Sequence, residues 1–178
     1  MVVNVLAIIP ARGGSKGIAR KNVRLLAGRP LIQWTIDEAI NSKKIDRLIV
    51  STDDVEIASV AEACGAEVPF YRPSQLAADD TPSIDPVLHA LNEFPKYEWV
   101  LVLQPTSPLR KAIDIRGIID FCIDRECSSA VSVAEVSKPP HWLFYMDDKA
   151  RLEQVLSGDP PKRRQDRIKT FIPNGALY

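Results

Sequence analysis

Apolar and polar positions along this chain fall into alternating blocks. Val3–Ile9, aliphatic except at Asn4, has the pattern of a strand covered on both faces. Pro30 is suited to the first turn of a helix, and Leu31, Trp34, Thr35, Glu38 and Ala39 continue at mixed helical spacing to about Lys44. Leu48-Ile49-Val50 reads as a second buried strand ending at Ser51-Thr52-Asp53-Asp54. Ile57, Val60, Ala61 and Cys64 mark one face of a second helix, with Gly65 as its stop. Glu67–Tyr71 reads as a short third strand. Ser83 reads as the N-cap of a helix carrying Ile84, Val87, Leu88 and Leu91 on one face. Trp99–Leu103 predicts a fourth strand, Ile113–Ile123 a helix interrupted by Gly117, and Ala130–Val133 a fifth strand. Strands separated by helices imply an α/β fold with a mostly parallel sheet and right-handed crossovers.

After Glu135 the pattern changes. Lys138–Lys169 contains Pro139, Pro140, Pro160 and Pro161 with little sustained periodicity, and Phe171–Tyr178 resumes a strand-like pattern. The expected organisation is one domain: an α/β nucleotide-binding core over 1–136, an excursion over 137–170, and a returning core strand over 171–178.

Composition narrows the function. The formal net charge of the 178 residues is zero, which speaks against a general nucleic-acid binder. No apolar run approaches the roughly 18 residues of a membrane span, and the N-terminal run lacks a basic leader, so neither a membrane nor export is expected. Cys64, Cys122 and Cys127 form no CxxC pair and read as reduced thiols of a cytosolic protein. Against this neutral background one segment stands out. No Asp or Glu occurs from Met1 to Ile36, whereas Arg12, Lys16, Arg20, Lys21, Arg24 and Arg29 all carry positive charge. The loop Ala11-Arg12-Gly13-Gly14-Ser15-Lys16-Gly17 combines glycines, which let backbone N–H groups approach a ligand, with cations that neutralise it. That is the chemistry of a polyphosphate cradle. Its spacing fits neither G-x-x-x-x-G-K-[ST] nor G-x-G-x-x-G. Ligands of open parallel sheets sit beyond the carboxyl ends of the strands. The segments Arg12–Asn22, Ser51–Asp54, Arg72–Ser83 and Gln104–Arg110 all fall at such ends.

I-I-P-A-R-G-G-S-K-G…K-N, S-T-D-D, R-P-x-x-L-A-x-D-x-T-P-S, L-Q-P-T-S-P-L-R and P-N-G-A-L-Y, in that order, resemble the N-acylneuraminate cytidylyltransferases, or CMP-sialic acid synthetases. The resemblance implies a doubly wound, Rossmann-like three-layer sheet of the nucleotide-diphosphosugar-transferase type. The reaction it implies joins CTP to a nine-carbon α-keto acid sugar (sialic acid, or a legionaminate or pseudaminate relative) with release of pyrophosphate. By the same likeness Arg12, Gly14, Ser15, Lys16, Lys21 and Asn22 hold the CTP phosphates, with Lys21 and Arg12 acting on the reacting phosphates. Arg72, Thr81 and Ser83 lie near the cytosine and ribose, and Gln104, Arg164 and Asn174 face the acidic sugar. The family uses Mg2+ held by an acidic pair, expected beyond Tyr178 and not within this sequence. Its dimerisation region resembles the excursion, so a homodimer is implied. Two alternatives remain: a 3-deoxy-manno-octulosonate cytidylyltransferase, and a non-catalytic, truncated nucleotide-binding homologue.

Other residues are expected in plainer roles. Asp53 and Asp54 read as a strand-end turn or helix cap, His89 as solvent-exposed, His141 as shaping its loop, and Trp34 as core. Trp142, Phe144 and Tyr145 read equally as a subunit contact or a satellite core. The cationic run Lys162–Lys169 is a solvated face unless Arg164 reaches the sugar.

Overall fold

The computed structural model describes residues 3–138, 140–156, 158 and 169–178. Its elements, in chain order, are β1 (Val5–Pro10), β2 (Leu25–Leu26), β3 (Arg29–Pro30), α1 (Leu31–Ser42), β4 (Arg47–Ser51), α2 (Val55–Ala63), α3 (Asp85–Glu93), β5 (Trp99–Val102), α4 (Ala112–Arg125), β6 (Val133–Glu135), β7 (Phe144–Met146), β8 (Leu152–Gln154) and β9 (Phe171–Pro173). The chain divides into two compact units, Met1–Ser132 with Gly175–Tyr178, and Val133–Asn174.

In the first unit β1 lies between β4 and β5, parallel to both, with Ile8 opposite Ile49 on one side and Val102 on the other. Residues of β1 are buried on both faces, and their alternation sorts them into two cores. Val5, Ala7 and Ile9 pack with Ile32 and Ile36 of α1, Ile57 and Ala61 of α2, and Ile115 and Ile119 of α4. Leu6 and Ile8 pack with Ile49 and with Val87 and Ala90 of α3. Helices therefore cover both faces of a parallel sheet, the three-layer arrangement expected from the sequence.

The third strand, expected over Glu67–Tyr71, is reduced to two isolated parallel bridges, Ile49 to Glu67 and Thr52 to Tyr71. Pro69 stands between them and has no N–H to donate, so the ladder is interrupted there. The strand expected at Ala130–Val133 is replaced by a different pairing. Tyr178 exchanges hydrogen bonds with Val102 at the β5 edge, and Ser132 pairs with Leu177, whose side chain is buried. Regular structure begins only at Val133, which pairs antiparallel with Pro173 in the second unit. Ser83 does not cap α3. Ile84 takes the N-cap position without a side-chain bond, and Pro86 in the first turn removes one donor that a cap would serve.

Trp34 is half-buried rather than core. Its Nε1 donates to Leu26 O, and the Arg29 guanidinium lies over its ring at 4.5 Å, so it clamps the β2–β3 hairpin. That hairpin turns through Ala27 and Gly28, both at positive φ, as two-residue hairpin turns require. His89 is also half-buried, against expectation. It packs edge-on to Phe70 at 4.9 Å, and its buried Nδ1 has no hydrogen-bond partner among the described residues. Cys64, Cys122 and Cys127 are free thiols, and no helix among the described residues is long and apolar enough to cross a membrane.

In the second unit, β6 pairs with β9 and β7 with β8, both antiparallel. Asp147 closes the β7–β8 turn by accepting from the backbone N–H groups of Lys149 and Arg151.

One buried cation fastens the returning segment to the first unit. Arg110 is 5% exposed. It donates to Ala176 O, to Thr35 Oγ1 at 2.8 Å and to Gln104 O at 3.4 Å. Burial pulls its pKa down to about 10, against the opposing pull of Asp114 and Glu38. Truncation leaves three acceptors without their donor. Arg110→Ala is expected to lower unfolding stability by about 2–4 kcal/mol, read by urea denaturation. An unchanged midpoint would show that the tie is dispensable.

Candidate functional site

The first strand ends at Pro10 and the chain enters the glycine turn, which is held from beneath by the end of β4. Ala11 N donates to Ser51 O at 3.0 Å, and Gly13 N donates to Asp53 Oδ1 at 2.9 Å. Asp54 caps α2 by accepting from Glu56 N and Ile57 N, and it also pairs with Arg20 at 3.1 Å. A Cβ on Gly13 would come within 2.6 Å of Asp54 Oδ2 and 2.9 Å of Asp54 Cβ. Glycine is therefore a steric requirement at that position. At Gly14 a Cβ would meet nothing within 4 Å.

Arg72 is drawn into the same junction. Buried beside β4, it donates from Nε to Ser51 Oγ at 3.1 Å and from one terminal nitrogen to Ser51 O at 2.5 Å. Burial lowers its pKa, Asp53 opposes that shift, and the like charge of Arg12 adds to it. Asn22, also buried, donates from Nδ2 to Arg12 O at 3.0 Å, so its amide shapes the turn.

Above this junction opens a cleft of about 620 Å³ at the carboxyl ends of β1 and β5. The chain reverses its winding between these neighbouring strands, so the cleft lies at the switch point where such sheets bind ligands. Arg12, Ser15, Lys16, Lys21, Asn22, Arg72, Thr81, Ser83 and Gln104 all line it, so the structure brings together nine of the residues singled out from sequence. Gly14 is not among the residues that line the cleft, whereas Gly17 is. Asn174 belongs to the second unit. Arg164, with the rest of the cationic run before Lys169, lies outside the described residues.

The cations of the cleft differ in what they touch. Arg12 donates from one terminal nitrogen to Ala77 O at 3.2 Å and Ala78 O at 2.9 Å, and from the other to Asp79 Oδ1 at 2.8 Å. Lys16 Nζ lies 3.0 Å from Asp79 Oδ2. The Lys16 hydrogen bond, opposed by partial desolvation and joined by that of Arg12, holds the Asp79 carboxyl below the ordinary carboxylate range. Lys21, also in the cleft wall, is in no ion pair among the described residues. Sequence reading placed the cations but missed Asp79. Its signal in the sequence was the acid of the R-P-x-x-L-A-x-D-x-T-P-S motif, to which no role was given.

Mg2+ needs free carboxylate oxygens. Asp53 Oδ1 is engaged by Gly13, and both Asp54 oxygens are engaged by the helix cap and Arg20. The described residues contain no group of three or more His, Cys, Asp or Glu placed to hold a metal. Asp53 thus serves the turn and Asp54 the helix cap.

Comparison with known proteins agrees with this geometry. The family described as Cytidylyltransferase matches residues 6–153. An N-acylneuraminate cytidylyltransferase of Escherichia coli is 35% identical over the whole chain, which spans 42% of that protein. A CMP-N,N'-diacetyllegionaminic acid synthase of Legionella pneumophila is 42% identical over 84% of the chain and 66% of the relative. A pseudaminic acid cytidylyltransferase of Campylobacter jejuni is 33% identical over 97% of the chain and 76% of the relative. Among solved structures, a CMP:2-keto-3-deoxy-manno-octonic acid synthetase complexed with CTP superposes with a TM-score of 0.69 at 19% identity, covering 98% of this chain and 73% of that one. That likeness carries the fold alone. With the glycine turn, the cationic cleft and the matched span in agreement, the chain belongs to the cytidylyltransferase family.

Proposed function

We propose that this chain binds CTP in the cleft at the ends of β1 and β5 and transfers its cytidylyl group to a nine-carbon α-keto acid sugar. The products are a CMP-sugar and pyrophosphate. The observation that carries the reading is the convergence of Arg12, Lys16 and Lys21 on one cleft above a glycine turn, in a protein with no net charge. The names of the relatives support the class of sugar, since they act on sialic, legionaminic and pseudaminic acids.

In this reading the anomeric hydroxyl oxygen of the sugar bonds to the α-phosphorus in line with the bridging oxygen to the β-phosphorus. That bridge breaks, pyrophosphate leaves with its electron pair, and the hydroxyl proton is released. Catalysis of such a step is mainly positioning and neutralisation of charge on the phosphates. Lys21 takes the α-phosphate, Arg12 and Lys16 take the outer phosphates, and Ser15 donates from the turn. Arg72, Thr81 and Ser83 bound the nucleoside end. Asn22 and Asp53 act through the turn they hold. Gln104 faces the sugar, with Arg164 and Asn174 assigned to it on the family resemblance. Mg2+ would accompany the triphosphate by the same resemblance and would neutralise phosphate charge when bound. A pyrophosphate-release assay with CTP and a panel of acidic sugars tests the reading. Turnover with the eight-carbon acid and not with nine-carbon acids would overturn the choice of sugar. CTP binding without turnover on any acid would favour the non-catalytic alternative.

We also propose that the second unit makes the contact of a homodimer. Trp142, Phe144, Tyr145, Met146, Phe171 and Ile172 are all exposed within a unit of two short antiparallel strand pairs, more apolar surface than a solvated arm needs.

Lys21→Ala is expected to weaken CTP binding by roughly 1.5–3 kcal/mol, the range of a charge-assisted hydrogen bond, measured by isothermal titration. Unchanged affinity would remove Lys21 from the site. Gly13→Ala should lose CTP affinity and thermal stability together because its Cβ displaces Asp54, whereas Gly14→Ala should stay near wild type. Equal effects at the two glycines would show that the turn is not held by β4. Phe144→Asp with Tyr145→Asp should shift the molar mass seen by light scattering to that of a monomer, and an unshifted dimer would rule this patch out.

A further inference from the structure

The cleft carries its own anion. Asp79 presents one carboxylate oxygen to Arg12 and the other to Lys16, as two phosphate oxygens would. It is held there by a short ordered segment: Leu76 N donates to Pro73 O, Thr81 N to Ala78 O, and Thr81 Oγ1 to Gln75 O at 3.0 Å. The Ala77 and Ala78 carbonyls accept from the other terminal nitrogen of the Arg12 guanidinium. Lys21 is not part of this arrangement.

We infer that Asp79 is a specificity-determining residue, an intramolecular stand-in for the outer phosphates that a ligand must displace to reach Arg12 and Lys16. The inference rests on the phosphate-binding reading of the cleft and deepens it. A ligand with one phosphate reaches Lys21 and leaves Asp79 in place. A triphosphate has the charge and length to exchange Asp79 for its own oxygens. The exchange is energetically shallow because the groups are wet. Side-chain exposure is 31% for Arg12, 77% for Lys16 and 45% for Asp79, and such pairs are individually weak. Asp79 therefore holds the cations apart and oriented at small cost to binding, and it disfavours short anions that cannot replace both contacts. Removing the carboxylate leaves the Ala77 and Ala78 carbonyl bonds to Arg12, so the segment keeps its seat.

The test is isothermal titration of wild type, Asp79→Asn and Asp80→Asn with CTP, CMP and inorganic tripolyphosphate. Asp80 is exposed, and its substitution makes the same change in net charge without touching the Arg12–Lys16 contacts. Asp79→Asn is expected to tighten CTP and tripolyphosphate several-fold and leave CMP unchanged, with Asp80→Asn near wild type for all three. Unchanged or weaker CTP binding by a folded Asp79→Asn would overturn the inference, making Asp79 a strut of the site. An equal gain in Asp80→Asn would overturn it in favour of bulk charge. If tripolyphosphate tightens but neither nucleotide binds, the stand-in holds and the nucleotide reading fails. If no phosphate ligand binds any of the three proteins, both fail.

Discussion

The hydrogen bond from Gly13 N to Asp53 and the close approach of Gly13 to Asp54 couple the cationic turn to the end of β4. Everything in the cleft depends on that junction. Without it, a turn rich in glycine and like charges has every reason to spread into solvent, because its residues lose more conformational freedom on ordering than others do. With it, the backbone of the turn is fixed by carboxylates that lie behind it, and the cations point forward. Asp54 also caps α2 and pairs with Arg20 while Asp53 holds the turn, so one dipeptide serves the helix, the turn and the charge balance.

Burial accounts for the division of labour among the arginines. Arg72 and Arg110 are buried, and their hydrogen bonds go largely to main-chain carbonyls and hydroxyls. Both have their pKa lowered by loss of water, and both act as fasteners between segments far apart in the chain. Arg12 is partly exposed, and its partners are exchangeable ones. A cation that must trade partners with a ligand cannot be locked in a dry site, because removing a partner there strands a buried charge.

Strand pairing positions these groups. β1 in the middle of the sheet is covered on both faces, which gives the turn after it a rigid base, and β5 beside it brings Gln104 to the opposite wall of the cleft. Tyr178 extends the sheet past β5, while Arg110 ties Ala176 to Thr35 and Gln104. The first unit is therefore closed by residues that lie on either side of the second unit in sequence.

Sequence alone was sufficient for the layers of the fold and for most of the cleft wall, since both rest on short-range patterns. An aliphatic run such as Leu6–Ile9 has few places to go other than a covered strand, and a glycine-rich turn without acids announces anion binding through local composition. The cap role of Asp54 was legible for the same reason. What escaped was whatever depended on through-space neighbours. Pro69 broke the third strand through a missing donor, Tyr178 took the sheet edge sought at Ala130–Val133, and Trp34 left the core to clamp a hairpin. Asp79 meets Arg12 and Lys16 only after two crossovers have folded the chain back, and Coulomb attraction between distant positions leaves no periodicity to read. Gly13 and Gly14 look alike in sequence, and only the packing of Asp54 against one of them tells which is required.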